Sequence, residues 1–366
     1  MAVMPFMILA ASSLIQSCIE EEFPTDYATG EQMQTAKNPG KIVLNGLNAK
    51  MVEQFSYNGA QLAYDWGYPS QMLIRDILGG DEPVSNVTND YLAWIADGTS
   101  LNVFSLYTYS YYYDLVSNAN NMVEKFGSDD SDQKAYAGAA RAYRALAYLD
   151  MTRMFEYKTT GFSSLDAQAE KSKVAGLTVP IVTEKTTAKE SKNNPRAPFY
   201  TMYRFILNDL KLAESEMKGF ERANKTQPDE SVVYGLEARL WLEMATRFEK
   251  NPEDLATQLA HEEDADGYAK LGVTTAEECY AKAAEYAQKA MALDGYAPLS
   301  SDEWHNEKTG FNLATGAWMW SASMQDKDML TYYWYSWLCW MGTEAPNLTC
   351  GGMGTYSCID KTIYEK

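Results

Sequence analysis

The stretch from Tyr136 to Met154 constrains this chain more than any other. Tyr136, Ala140, Tyr143, Ala147, Met151 and Met154 recur at steps of 4, 3, 4, 4 and 3. That spacing puts side chains on one face of an α-helix, because roughly 3.6 residues complete a turn. Ala135, Ala139, Ala142 and Ala145 surround the stripe with small side chains, so a partner helix can approach closely. Tyr203, Ile206, Leu210, Ala213 and Met217 repeat the period, as do Val233, Leu236, Leu240 and Met244, and then Tyr280, Ala283, Ala287 and Met291. Several amphipathic helices in succession predict a mainly α fold.

End signals sharpen some of these helices. Thr275-Ala276-Glu277-Glu278 reads as a capping box and Asp294-Gly295 as a glycine stop, while Asn251-Pro252-Glu253-Asp254 reads as N-cap and first-turn proline of a short helix. Val43 to Tyr57 and Leu101 to Phe126 are also expected to be helical. Helices beginning about 32 residues apart, at Phe199 and Ser231, suggest degenerate tetratricopeptide-like hairpins, although the W-x2-L-G-x2-Y signature of that repeat is absent. Thr159 to Pro198 interrupts the helices with the strand-like GLTVPIV (Gly176 to Val182) and the proline-rich NNPRAP. After Tyr296 the character turns to short strands and turns, with AWMWSAS (Ala317 to Ser323) expected as a buried strand.

The long apolar run Ala2 to Ile15 has the length of a signal-peptide core and falls short of the roughly 20 residues that span a membrane. No Lys or Arg precedes it. At its end Ile15-Gln16-Ser17-Cys18 resembles the lipobox of bacterial lipoproteins, which predicts a signal peptide over residues 1–17 and lipidation of Cys18. Acyl chains then supply the membrane affinity, and the polar segment 18–39, with Glu20, Glu21 and Glu22, acts as a tether.

Fifty acidic against 31 basic residues leave a net charge of -19. That balance disfavours nucleic acid and anionic lipid surfaces, both of which require clustered Lys and Arg. A neutral partner fits better. With 366 residues, 46% of them hydrophobic, the chain can bury one large or two ordinary domains. Five cysteines (Cys18, Cys279, Cys339, Cys350, Cys358) form no C-x-x-C pair, and His261 and His305 are the two histidines, so a zinc site is not expected. Pairing of Cys350 with Cys358 stays open.

No hydrolase, nucleotide-binding or metalloprotease motif occurs, and 50 carboxylates guarantee pairs that carry no weight as a glycosidase dyad. Glu262, Asp264, Asp266 and Gly267 follow the first half of a calcium loop, but Val273 stands where its closing Glu belongs, so a solvated acidic loop is expected instead. Gly351-Gly352-Met353-Gly354 reads as a turn. No cofactor and no metal are called for, and the chain reads as a binding protein rather than an enzyme.

Sugar recognition requires flat rings against pyranose C–H faces with amides and carboxylates nearby. Asp81 to Trp94 (DEPVSNVTNDYLAW) joins Asn86, Asn89 and Asp90 to Tyr91 and Trp94. Tyr332 to Trp340 (YYWYSWLCW) packs six aromatics into nine residues. Trp334, Trp337 and Trp340 would be core on a helix and a stacking platform in a loop, and Trp94 likewise reads either as core or as contact.

Several blocks together resemble the SusD/RagB family of outer-membrane lipoproteins, glycan-binding partners of TonB-dependent transporters in Bacteroidetes. They are DWGYPSQMLIRDILGGDE (Asp65 to Glu82), DLVSNANNMVE (Asp114 to Glu124), GAARAYRALAYLDMTRMF (Gly138 to Phe155), LTVPIVTE with NNPRAPFYTMYRFILNDLKLAE (Leu177 to Glu214), EARLWLEM (Glu237 to Met244) and AKAAEYAQKAMALDGYAPL (Ala281 to Leu299). Order and spacing agree from the lipobox to about residue 320. The resemblance implies a SusD-like, tetratricopeptide-like helical region over 40–300 and a loop-rich second lobe with short strands beginning in 301–366, where the chain stops short of the family's usual length. It also implies a lipid-anchored, non-catalytic lid over a SusC-like transporter, exposed on the cell surface. Oligosaccharide contacts carry over to Asn89, Tyr91 and Trp94, and the glutamates after Cys18 become an outer-surface export signal. A surface-anchored helical scaffold that binds protein or peptide is the alternative.

Overall fold

The computed structural model describes residues 36–52, 67–79, 84–85, 103–128, 133–159, 161–294, 296–308, 316–322, 356–357 and 361–365. Along the chain lie α1 (Pro39–Lys50), α2 (Gly67–Gly79), β1 (Val84–Ser85), α3 (Val103–Phe126), α4 (Lys134–Phe155), α5 (Ser163–Lys171), α6 (Ala188–Ser191), α7 (Phe199–Glu216), α8 (Glu230–Lys250), α9 (Pro252–Ala260), α10 (Ala276–Asp294), α11 (Ser301–Trp304), β2 (Tyr356–Ser357) and α12 (Lys361–Tyr364). The fold is mainly α. The two short strands pair antiparallel, Val84 opposite Ser357 and Ser85 opposite Tyr356.

The long helices stack on their chain neighbours: α3 against α4, α4 against α7, α7 against α8 and α8 against α10, with α1 laid across α3 and α4. The helices starting at Phe199 and Glu230 do contact each other, and α7 packs more extensively still on α4, and α8 on α10.

The central helix α4 explains why. Its side chains are buried without interruption from Ala137 to Thr152, because α3 covers one side and α7 the other. Of the aromatic stripe, Tyr136 meets Phe126 and Phe220, and Tyr143 bonds Asn48 of α1 and the Thr226 carbonyl and meets Trp320 edge to face. Gly138 marks a close approach to α7, where an added Cβ would stand 2.5 Å from Met217 Cγ and 3.3 Å from the Ala213 carbonyl. Tyr148 meets Phe205 of α7 edge to face at 5.1 Å between centroids, a geometry that adds to burial.

Burial on all sides forces the polar groups of α4 to find partners. Arg144, 1% exposed, places Nε and Nη2 each 2.7 Å from the Asp209 carboxylate of α7, and its Nη1 reaches Asn120 and Glu184 at 2.6 and 2.7 Å. Asp150, wholly buried, accepts from Tyr68 (2.9 Å) and Tyr112 (3.1 Å) and pairs with Arg75 of α2 at 2.8 Å. Unpaired, either charge would cost several kcal/mol.

Two expected strands are not strands. GLTVPIV lies in an irregular stretch whose ladder contacts are single bridges, Tyr157 to Ala175 and Leu177 to Pro198. Residues 176–179 bond briefly to the backbone of 197–199, and the Arg196 guanidinium donates to the carbonyls of Phe155, Leu177 and Thr178 at 2.5 to 2.7 Å. Residues 317–322 of AWMWSAS are likewise irregular, with turn and bend but no strand. They are strapped to the helices by Arg222 on the Met319 carbonyl, Lys225 on the Trp318 carbonyl and the Trp320 indole N–H on the Thr226 carbonyl.

Helix ends follow the sequence closely. Asn38 Oδ1 accepts from Lys41 N–H at 3.1 Å, starting α1 before Val43. At α10 the Glu278 amide donates to Thr275 Oγ1, but the Glu278 carboxylate accepts from Thr274 N–H rather than from Thr275, one residue outside a regular capping box. Asn251 precedes the proline of α9 without a side-chain capping bond.

Candidate functional site

The six residues singled out by sequence, Cys18, Asn89, Tyr91, Trp94, Trp334 and Trp337, lie outside the described residues, as do the signal segment 1–17 and the Cys350/Cys358 pair. Among the described residues a cleft of about 750 Å³ opens at one end of the helical stack. It is framed by the segment after α4 (Tyr157, Lys158, Thr159), the start of α7 (Phe199), the last turns of α8 (Glu243 to Lys250) and the first turn of α9.

Arg247 forms its floor. Nη1 donates to Glu156 Oε2 at 2.8 Å, Nη2 lies 2.8 Å from Glu156 Oε1 as an ion-pair contact, and Nε donates to Asp254 at 2.8 Å. The guanidinium carbon sits 3.7 Å above the Phe199 ring, a cation–π contact strengthened by burial. Burial works against the positive charge, but the bonds to Glu156 outweigh it and Tyr203 adds to them, so the Arg247 pKa stands above its ordinary value. Gly176 closes one wall with φ +71, and a Cβ there would press on Phe199 Cδ1 at 3.3 Å. The Phe199 amide donates to the Gly176 carbonyl at 2.9 Å, locking the α7 start to the loop.

Above the floor the rim is polar and wetter. Lys158 reaches Glu243 at 3.2 Å, and Arg153 approaches the same carboxylate at 3.5 Å. Thr246, half-buried, bonds the Leu242 carbonyl at 3.0 Å, as a mid-helix threonine does. Lys250 and Asn251 at the α8 end and Glu253 at the α9 start are exposed. The cleft thus mixes donors and acceptors, with neither Cys nor His on its walls. Cys279 is buried in α10, and burial pushes its thiol up to about 11, which leaves little thiolate near neutrality.

Glu263 to Gly267 of the acidic loop after α9 are exposed, and several of the loop's side chains also bond inward. Asp266 holds the fully buried Arg204, with Nη1 to Oδ1 at 3.0 Å. Glu262 accepts from the Leu271 amide at 2.6 Å and from Gln258 at 2.8 Å, and Glu263 pairs with Lys270. His261 stacks on Tyr200 at 3.9 Å and bonds Asp264 at 2.8 Å. The carboxylates are drawn into a clasp over α7. Among the described residues no group of His, Cys, Asp and Glu is placed to hold a metal ion.

Sequence reasoning missed the cleft because its floor joins residues far apart: Glu156 and Arg247 are separated by 91 positions. The available signal was the charge of Arg247 on the face of α8 that also carries Met244 and Phe248, all three buried.

No protein-family model matches the chain, and no curated protein does. Solved structures do. A SusD-like carbohydrate binding protein from Bacteroides vulgatus superposes with a TM-score of 0.53 at 19% identity, over 77% of this chain and 49% of that one. A SusD superfamily protein from Bacteroides thetaiotaomicron gives 0.44 at 17% identity, over 74% and 49%. One from Parabacteroides distasonis gives 0.46 at 18%, over 72% and 46%. The chain spans about half the length of these structures. The stacked hairpins, their order along the chain and the first of these superpositions together identify the architecture as a SusD-like fold.

Proposed function

We propose that the chain is a SusD/RagB family lipoprotein that captures oligosaccharide at the outer surface of the cell for a SusC-like TonB-dependent transporter, without breaking a bond. The SusD-like fold carries this reading, since the structural neighbour that superposes best among those described is itself a carbohydrate binding protein. The net charge of -19 also suits a neutral ligand. Attachment to the membrane would rest on acylation of Cys18 at the end of the apolar run. Asn89, Tyr91, Trp94, Trp334 and Trp337 are the proposed sugar contacts, working by ring stacking and hydrogen bonds to hydroxyls.

Calorimetric titration of the purified chain against a glycan panel tests the reading. Binding to at least one oligosaccharide, weakened in Trp94→Ala or Trp337→Ala, is expected. Absence of heat with every glycan refutes glycan capture and favours the protein-binding scaffold. Release of reducing ends by the pure protein refutes the non-catalytic assignment. Cys18→Ala should abolish incorporation of radiolabelled palmitate in a bacterial host, and unchanged labelling refutes the anchor.

A further inference from the structure

We infer that the cleft between the α4 end, α7, α8 and α9 is a second saccharide subsite, selective for a neutral sugar unit. The inference rests on the oligosaccharide-binding reading and adds to it a site in the helical stack, separate in sequence from the aromatic loops. Its volume of about 750 Å³ is within the roughly 300–1,000 Å³ usual for small-ligand sites.

The charges on the walls point to the ligand class. Lys158, Arg247 and Lys250 face Glu243, Glu253 and Asp254, so the formal charges cancel in a chain that is otherwise strongly acidic. A phosphate or carboxylate ligand would need an uncompensated cation. Arg247 does not supply one, because Glu156 and Asp254 take its N–H groups and Phe199 lies against its face. Lys158 is likewise held by Glu243, and the exposed Lys250 shares the rim with the oppositely charged, exposed Glu253. An ammonium ligand would meet the mirror-image difficulty. A hydroxyl both donates and accepts, so a polyol can insert between paired charges without leaving either one uncompensated.

Floor and rim divide the work. The buried Arg247, Glu156 and Phe199 cluster is a rigid base, and the exposed rim supplies contacts. Asn251 precedes α9, yet its side chain makes no capping bond, which leaves both halves of the amide for adjacent sugar hydroxyls. Tyr157 adds a ring to the wall and holds its own hydroxyl on Asp166 at 2.8 Å. That bond fixes the ring in place.

The test compares calorimetric titrations of the full chain with neutral gluco-, manno- and galacto-oligosaccharides. Thr246→Trp fills the cleft mouth and Asn251→Ala removes the exposed amide, and both are read beside Trp94→Ala and Trp337→Ala. Binding to the wild type should weaken about tenfold or more in Thr246→Trp and several-fold in Asn251→Ala, with a residual event surviving in the loop variants. If Thr246→Trp lowers the melting temperature, Asn251→Ala at the solvent-exposed rim decides. Wild-type affinity in the cleft variants, with loss confined to the loop variants, overturns the subsite and leaves the proposed function standing. A sugar phosphate that binds the cleft more tightly than its neutral parent overturns the selectivity. No binding of any saccharide by the wild type overturns both.

Discussion

Replacing Glu237 by Gln should flatten the dependence of stability on pH. Glu237 lies on α8, fully buried between α7 and α10. Lys211 of α7 places Nζ 2.9 Å from its carboxylate, and the Lys211 ammonium also bonds Tyr286 of α10 and lies 4.3 Å from that ring's centroid. Burial pushes the carboxyl up from an ordinary 4.5 to about 7, more than Lys211 pulls it down. The folded state therefore holds the Glu237 proton more tightly than the unfolded chain does. Stability is highest while both states are protonated and falls as pH rises from the unfolded value toward the folded one. A separation of about 2.5 pH units at about 1.36 kcal/mol each corresponds to roughly 3 kcal/mol, of which about 2.5 kcal/mol disappears between about pH 5 and pH 8. Gln cannot ionise, and Lys211 keeps Glu214 at 3.0 Å as an anionic partner. Urea unfolding followed by tryptophan fluorescence at the two pH values measures the difference. The wild type should lose about 2 to 3 kcal/mol more than Glu237→Gln on going to the higher pH. Parallel losses in the two proteins refute the assignment of a raised pKa to this carboxyl.

Two further substitutions probe the packing. Arg247→Met should destabilise the chain by about 3–5 kcal/mol, because Glu156 is left buried without its cation, and Glu156→Gln in the same chain should restore part of the loss. Denaturant midpoints of the single and double variants check this, and additive losses would mean that the pair is not coupled. Gly138→Val should cost about 1–3 kcal/mol by forcing α4 away from α7. Adding Met217→Ala, which removes the side chain 2.5 Å from the new Cβ, should recover part of it. A neutral Gly138→Val would show that the helices separate freely.

How much of this was legible beforehand varies by element. The period of apolar residues marks α4, α7, α8 and α10, since one residue every 100° projects the same face regardless of what lies opposite. Asn251-Pro252 marks the start of α9 because a proline at the first helical position loses no hydrogen bond. GLTVPIV and AWMWSAS misled for one reason. Their apolar alternation satisfies the strand pattern, but a strand also needs a continuous run of ladder bonds. Here backbone pairing is brief, and side chains, Arg196 in one case and Arg222 with Lys225 in the other, take further carbonyls.

From the sequence alone come the mainly α class, the helices and most of their ends, the acidic charge and the SusD-like resemblance. All of these depend on residues close together in the chain or on sums over it. Only the tertiary structure decided that α4 is buried on every side, that α7 serves α4 more than α8, and that Arg247 closes the floor of a cleft. Each depends on groups tens of residues apart whose burial turns an ordinary surface charge into one that must find its partner. Sequence periodicity reports which side of a helix is apolar, but it carries no information about how many neighbours that helix has.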